Sequence, residues 1–186
     1  TQVQSFNSIA ALRLRSGTTI ANAAKTLGYY SAGDGGGNSF YWDSTSVATD
    51  NGGTVIKPTS VSGAGRWLAV DTSCVSLKQC GAKGDGSNCD DAWAVFCNLE
   101  GDGIIEQGTY GITAHVTVSS GVLKVIRGIG NPTISITLPI NTNFLTCNRL
   151  RSFFCLCKMH YLWYYRLRAS VMPEGSEPLK SKTQVT

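Results

Sequence analysis

Charge is scarce in this 186-residue chain: 15% of its residues are Asp, Glu, Lys or Arg, and the net charge is +4. The body has no basic surplus. Up to Cys147 nine bases face ten acids, a balance of −1, whereas from Asn148 onward seven bases face two acids, a balance of +5. The body therefore gives no reason to expect nucleic acid as a partner. Residues 1–11 lack a basic start followed by an apolar run, so no secretory leader is expected there. A membrane span of about 20 uncharged apolar residues is also missing. Residues 144–167 come nearest, but Arg149, Arg151 and Lys158 interrupt them, which leaves surface association with a membrane or an unstructured tail. There is no phosphate loop: Gly81-x-x-Gly84-x-Gly86 is not followed by Lys-Ser/Thr, and Gly33-x-Gly35 is no better as a dinucleotide fingerprint. The seven cysteines are odd in number and irregularly spaced, which argues against a complete disulfide framework and for reduced, buried thiols. Cys147, Cys155, Cys157 and His160 are the nearest approach to a zinc set, but their Cys-x-Cys pair is an awkward chelate. His115 stands alone and reads as a strand residue. No cofactor and no metal is expected.

What the chain does have is glycine, 21 residues of it, together with Ser, Thr, Asn and Val. That composition suits β-structure with many turns. Glycine is concentrated in two blocks. The first runs Leu27-Gly-Tyr-Tyr-Ser-Ala-Gly-Asp-Gly-Gly-Gly-Asn-Ser-Phe-Tyr-Trp-Asp43, and the second Cys80-Gly-Ala-Lys-Gly-Asp-Gly-Ser-Asn-Cys-Asp-Asp-Ala-Trp93.

Around the first block the chain reads as a compact β-rich module with one or two short helices. Ser8 is placed to cap a helix that Gly17 would stop. Residues 18–27 could form a strand leading into a second helical turn. Ser39–Asp43 reads as an aromatic strand. Asn51-Gly52-Gly53 is a hairpin signal, and residues 66–70 form another strand. After the second block, Asp90 or Asp91 can cap a helix whose apolar face is Ala92, Val95, Phe96 and Leu99, with Gly101 and Gly103 ending it. Short β-branched runs follow at 104–105, 108–112, 116–118, 122–126 and 133–137. Such a series suits the rungs of a solenoid.

The second block resembles the opening of the pectate-lyase-like β-helix superfamily. There a strand leads into Gly-Ala-Lys-Gly-Asp-Gly, an Asp-Asp pair opens a capping helix, and a Gly-x-Tyr rung follows. The matching elements are Gly81, Lys83, Gly84, Asp85, Gly86, Asp90, Asp91, Gly108 and Tyr110. The first block, with residues 50–56 and Gly65-Arg-Trp67, is similar to the module that precedes this β-helix in many bacteriophage and prophage tailspikes. The match covers about residues 5 to 145. It departs at Cys80, where an aromatic is usual, at Cys89, where Thr is usual, and at Glu106-Gln107, which replace a proline-containing approach.

The resemblance implies a mainly β fold. Residues 1–71 would form a particle-proximal module, and residues 72–146 the helix-capped start of a right-handed parallel β-helix. Residues 147–186 would form an atypical basic, aromatic tail, because residues 147–168 carry no acid and only Gly175 follows Gly130. The change near Leu145 reads as a shifted or interrupted frame that leaves a shortened spike. Implied partners are a homotrimer, phage tail or baseplate proteins, and bacterial surface polysaccharide. The implied location is the virion tail, assembled in the host cytoplasm. The function expected is structural: joining a spike to the virion and starting its polysaccharide-binding β-helix. The alternative is a depolymerase, a lyase or glycoside hydrolase acting on capsule or O-antigen.

The candidate residues carry two readings each. Asp85, Asp90 and Asp91 could be the paired acids of sugar hydrolysis, but a glycine turn and a helix cap account for their spacing. Tyr29, Tyr30, Tyr41, Trp42 and Trp67 could stack on sugar rings; filling a core or an interface is the favoured role. No catalytic residue is assigned.

Overall fold

The computed structural model describes residues 2–118, 125–136, 145–147 and 154–156. Two hydrophobic clusters organise them. One is drawn from residues 9–69 and the other from residues 75–126.

The first cluster lies under a five-stranded sheet. Its elements are β1 (Val3–Phe6), α1 (Ile9–Arg13), β2 (Ala23–Thr26), β3 (Ser39–Asp43), β4 (Val55–Ile56) and β5 (Arg66–Ala69), and the strand order is β1-β2-β3-β5-β4. β1 and β2 are parallel, with α1 in the crossover between them that a parallel pair requires; the other pairs are antiparallel. Ser8 caps α1 as its sequence suggests, its Oγ accepting from Ala11 N at 3.2 Å. Gly17 does not stop the helix, which ends at Arg13. Instead Gly17 lies beneath Trp42, where a Cβ would come within 2.2 Å of the indole. Residues 18–27 hold only β2, with no second helix after it. Asn51-Gly52-Gly53 forms a turn, since Asn51 Oδ1 accepts from the N–H groups of Gly53, Thr54 and Val55. The following strand β4 pairs with β5, however, so no two-stranded hairpin forms there.

Alternation along the strands sends Phe40, Trp67, Ile56 and Ala24 onto α1. Trp67 is fully buried and donates Nε1–H to Arg15 O at 2.8 Å, and Trp42 meets it edge-on at 5.2 Å. Both indoles therefore belong to packing, and Trp67 is out of reach of any sugar. Tyr41 lies on the sheet's other face and is exposed.

The second cluster fills a parallel solenoid. β6 (Cys74–Ser76), a 3-10 turn at Lys78–Cys80, β7 (Asp85–Asn88) and α2 (Asp90–Asn98) make its first turn. β8 (Asp102–Ile105), β9 (Thr109–Ile112) and β10 (Val116–Val118) make the second, and β11 (Val125–Gly128), β12 (Thr133–Ile136) and β13 (Leu145–Cys147) the third. β14 (Phe154–Leu156) pairs in parallel with β11, inside the segment whose composition gave no sign of a rung. All the pairings are parallel, in the sheets β14-β11-β8-β6, β12-β9-β7 and β10-β13. The turns differ in length: Gly103 pairs with Ile126, 23 residues on, whereas Cys74 pairs with Asp102, 28 residues on, and Val116 with Leu145, 29 residues on. This is the mainly β, helix-capped parallel β-helix that the sequence leads one to expect.

α2 differs in detail from its sequence reading. Its N-cap is Cys89, without a side-chain bond, and Asp90 is already the first helical residue. The helix ends at Asn98 with Leu99 as its C-cap; Gly101 follows in a turn, and Gly103 lies inside β8. The buried face is Ala92, Trp93, Phe96 and Cys97, with Val95 and Leu99 only partly covered. The Trp93 and Phe96 rings stack at 5.7 Å. His115 lies in the bend before β10 rather than in a strand.

Candidate functional site

The fold brings the two glycine blocks together, in a seam between the N-terminal sheet and the first turn of the solenoid. One carboxylate shapes the first block. Asp34 accepts from the backbone N–H groups of Tyr29 (2.9 Å), Tyr30 (2.7 Å), Ser31 (3.0 Å) and Gly36 (2.8 Å). Burial pushes its pKa up, but the four hydrogen bonds outweigh that and hold it below the usual carboxylate range. Fixed in this way, the loop presents Tyr29, Tyr30, Gly36 and Gly37 to the second block.

The second block answers residue by residue. Tyr30 Oη donates to Gly81 O at 2.7 Å. Burial, followed by the charges of Asp34, Asp85 and Asp91, pushes the Tyr30 phenol up, which keeps it a donor. Lys83 Nζ lies 5.1 Å from the centre of the Tyr30 ring, within range of a cation–π contact, and the Tyr29 ring lies 4.8 Å from it on a tilt. Gln79 Nε2 donates to Gly37 O at 3.1 Å, while its Oε1 accepts from Ser76 N. Gly81 has φ +104°, and a Cβ there would lie 2.8 Å from the Tyr29 ring, so only glycine fits. Between the blocks lies a cleft of about 200 Å³, lined by Tyr29, Tyr30, Gly81, Asn88, Asp90 and Asp91 among others.

Two of the three candidate acids are tied into turns. Asp90 accepts from Thr113 N (2.8 Å), Ala114 N (3.0 Å), Thr113 Oγ1 (2.5 Å) and Asn88 Nδ2 (2.6 Å). Burial raises its pKa, but these bonds overcome the effect and hold it at about 2. Asp90 thus caps the turn one coil further on, not its own helix. Asp85 accepts from Ser87 N and Oγ, which lowers its pKa. Hydrolysis needs one carboxyl kept protonated near neutral pH, and bonds of this kind do the opposite. Asp91 is exposed at the first turn of α2. Burial raises the Cys89 thiol to about 11, which makes it a poor nucleophile. Gly84 sits against Tyr110, whose Oη donates to Glu106 O at 2.9 Å, and a Cβ on Gly108 would come within 2.7 Å of Gly84 O. Gly86 has φ +90° in β7. Gly84, Asp90 and Gly108 therefore join the first two turns, whereas Gly81 and Lys83 face the N-terminal loop. Among the described residues no cluster of His, Cys, Asp or Glu could hold a metal ion, and no helix is long and apolar enough to cross a membrane. The zinc candidates Cys147, Cys155, Cys157 and His160 have no described side chains.

Residues 5–72 match the family model of the phage tail protein small four-stranded beta-sheet domain. The chain is also similar to a solved tailspike protein, gp49 from Acinetobacter baumannii bacteriophage Fri1, described as a capsular polysaccharide depolymerase. The identity is 26% and the TM-score 0.53, over 68% of this chain and 23% of that one. The chain is therefore similar to phage tailspikes. Two further structures match more weakly. Pantoea stewartii WceF, a glycan biofilm modifying enzyme with a tailspike-like parallel beta-helix fold, has 17% identity and a TM-score of 0.49 over 79% of this chain and 25% of that one. The enzymatically active domain of tailspike protein 2 from bacteriophage CBA120 has 16% identity and a TM-score of 0.49 over 89% and 28%. The tailspike-like chain spans about a quarter of the length of these structures. No curated protein matches it.

The seam was only half legible in the sequence. Glycines and aromatics marked both blocks, but Asp34 and Gln79 were passed over. An aspartate inside a glycine loop was the available signal, because such a loop leaves backbone N–H groups in search of an acceptor.

Proposed function

We propose that this chain is the attachment portion of a phage or prophage tailspike. Its N-terminal sheet joins the spike to phage tail or baseplate proteins, and its solenoid begins the β-helix that meets bacterial surface polysaccharide. The working form is a homotrimer in the virion tail, assembled in the host cytoplasm. One observation carries this reading: a sheet matching a phage tail domain over residues 5–72 runs directly into, and docks on, the capped start of a parallel β-helix. The chemistry of the second block supports a structural role, since Asp85 and Asp90 are spent on turns and held ionised.

The competing reading is a depolymerase, favoured by the activity of the Acinetobacter phage relative. Two assays on the purified 186-residue chain separate them. Labelled chain is expected to co-sediment with spike-less phage particles and to leave capsular polysaccharide uncleaved. Cleavage without co-sedimentation would reverse the assignment.

A further inference from the structure

The first turn of a solenoid has no neighbour beneath it, and exposed terminal turns need a cover. Here β6 and β7 stand at the ends of their sheets. α2 packs on β10 and also reaches the 3-10 turn and β9, from within the solenoid. Over the 3-10 turn and the β6–β7 connection sits the N-terminal module. Gly36 lies so close to Lys78 O that a Cβ would be 2.6 Å from it, and a Cβ on Gly53 would touch Cys80 at 3.4 Å. Gln79 and Gly81 are bonded from above by Gly37 and Tyr30.

We infer that the N-terminal module is itself the lid of the solenoid, so that the Asp34 loop holds the first turn closed and the two modules open together. Asp34 is a positioning residue: it touches nothing in the solenoid, yet it fixes the four backbone groups that set Tyr29, Tyr30 and Gly36 against it. Removing its carboxylate frees those N–H groups, loosens the loop and uncovers residues 77–89. The inference does not depend on whether the N-terminal sheet binds the tail.

Amide hydrogen exchange on the full chain tests it. Asp34→Ala is expected to speed exchange at Leu77, Ala82 and Cys89, all donors in solenoid backbone bonds, by about tenfold or more. Tyr30→Phe, which removes only the bond to Gly81, is expected to give a smaller acceleration at the same amides and serves if Asp34→Ala does not fold. Tyr41→Ala, on the far face of the same sheet, is expected to leave them unchanged. Acceleration confined to residues 29–37 in both seam variants would overturn the inference.

Discussion

The two modules differ in how far their carboxylates reach along the chain. In the N-terminal module Asp34 and Asp50 each close their own loop, and Asp50 also holds the end of α1. Asp34 gathers N–H groups from within five residues. Asp50 accepts from Gly52 and Lys57 while Arg13, at the end of α1, grips it with a forked guanidinium. In the solenoid, Asp90 reaches forward to Thr113 and Ala114, and Asp102 reaches to Val125 N and Arg127, each about one coil ahead. A sheet folded over its own helix can be held by local loops, because its core is complete. A solenoid coil is finished only by the next, so Asp90 and Asp102 set register between coils, while Asp85 closes its own turn through Ser87.

The largest test of that contrast is in the cores. Trp67→Ala is expected to remove about 3–5 kcal/mol of stability from the N-terminal module, as large-to-small changes in a packed core do. Phe96→Ala should cost a similar amount in the solenoid. Thermal unfolding followed by intrinsic fluorescence and circular dichroism would measure both. If either substitution costs under about 1 kcal/mol, the buried side chain is not where it has been placed.

Next in size is a glycine that exists only for coil stacking. Gly108→Ala puts a methyl group against Gly84 O, which also accepts from Thr109 N, and should cost about 1–3 kcal/mol. Chemical denaturation can read the loss. An unchanged midpoint would mean that the two coils are not in that register.

Acid should act on both modules with one sign. Asp90 is held at about 2, well below the roughly 4 of an unfolded aspartate. A depressed carboxylate contributes stability above its unfolded value and loses it as pH falls through the folded one. Solenoid stability should therefore decline from about pH 4 toward pH 2. Asp90→Asn should flatten that decline while lowering stability at neutral pH. A variant as acid-sensitive as the parent chain would remove Asp90 from the coil bond. Asp34 and Asp50 are depressed as well, so the N-terminal module follows the same direction. The smallest effect belongs to Tyr41→Ala, exposed and remote from both cores, which should stay within about 0.5 kcal/mol.

Local pattern carried much of this fold. Aromatic and apolar runs beside glycine turns located β3 and β5, β-branched runs located β9, β10 and β12, and Ser8 announced α1. Long-range choices were not visible in it. Nothing local says that Asp90 will leave its own helix end for Thr113, or that β4, which follows the Asn51 turn, will pair with β5 beyond residues 57–65. Arg66, buried and bonded to the carbonyls of Ala48, Gly63 and Gly65, looked like an ordinary strand residue because its partners lie in loops. Trp93 and Cys97 were missed on α2 because that helix is covered across a wider face than a single apolar stripe suggests.

The claim beneath all of this is that the chain beyond Asp71 climbs in parallel coils. Thr109 and Thr133 are exposed direct partners on β9 and β12, and neighbouring strands lie about 4.8 Å apart, close enough for a disulfide. Mild oxidation of Thr109→Cys/Thr133→Cys, followed by peptide mass mapping, measures that register directly. The account predicts a 109–133 cross-link in the native protein. Failure of that pair to join, or its joining only after denaturation, would contradict it.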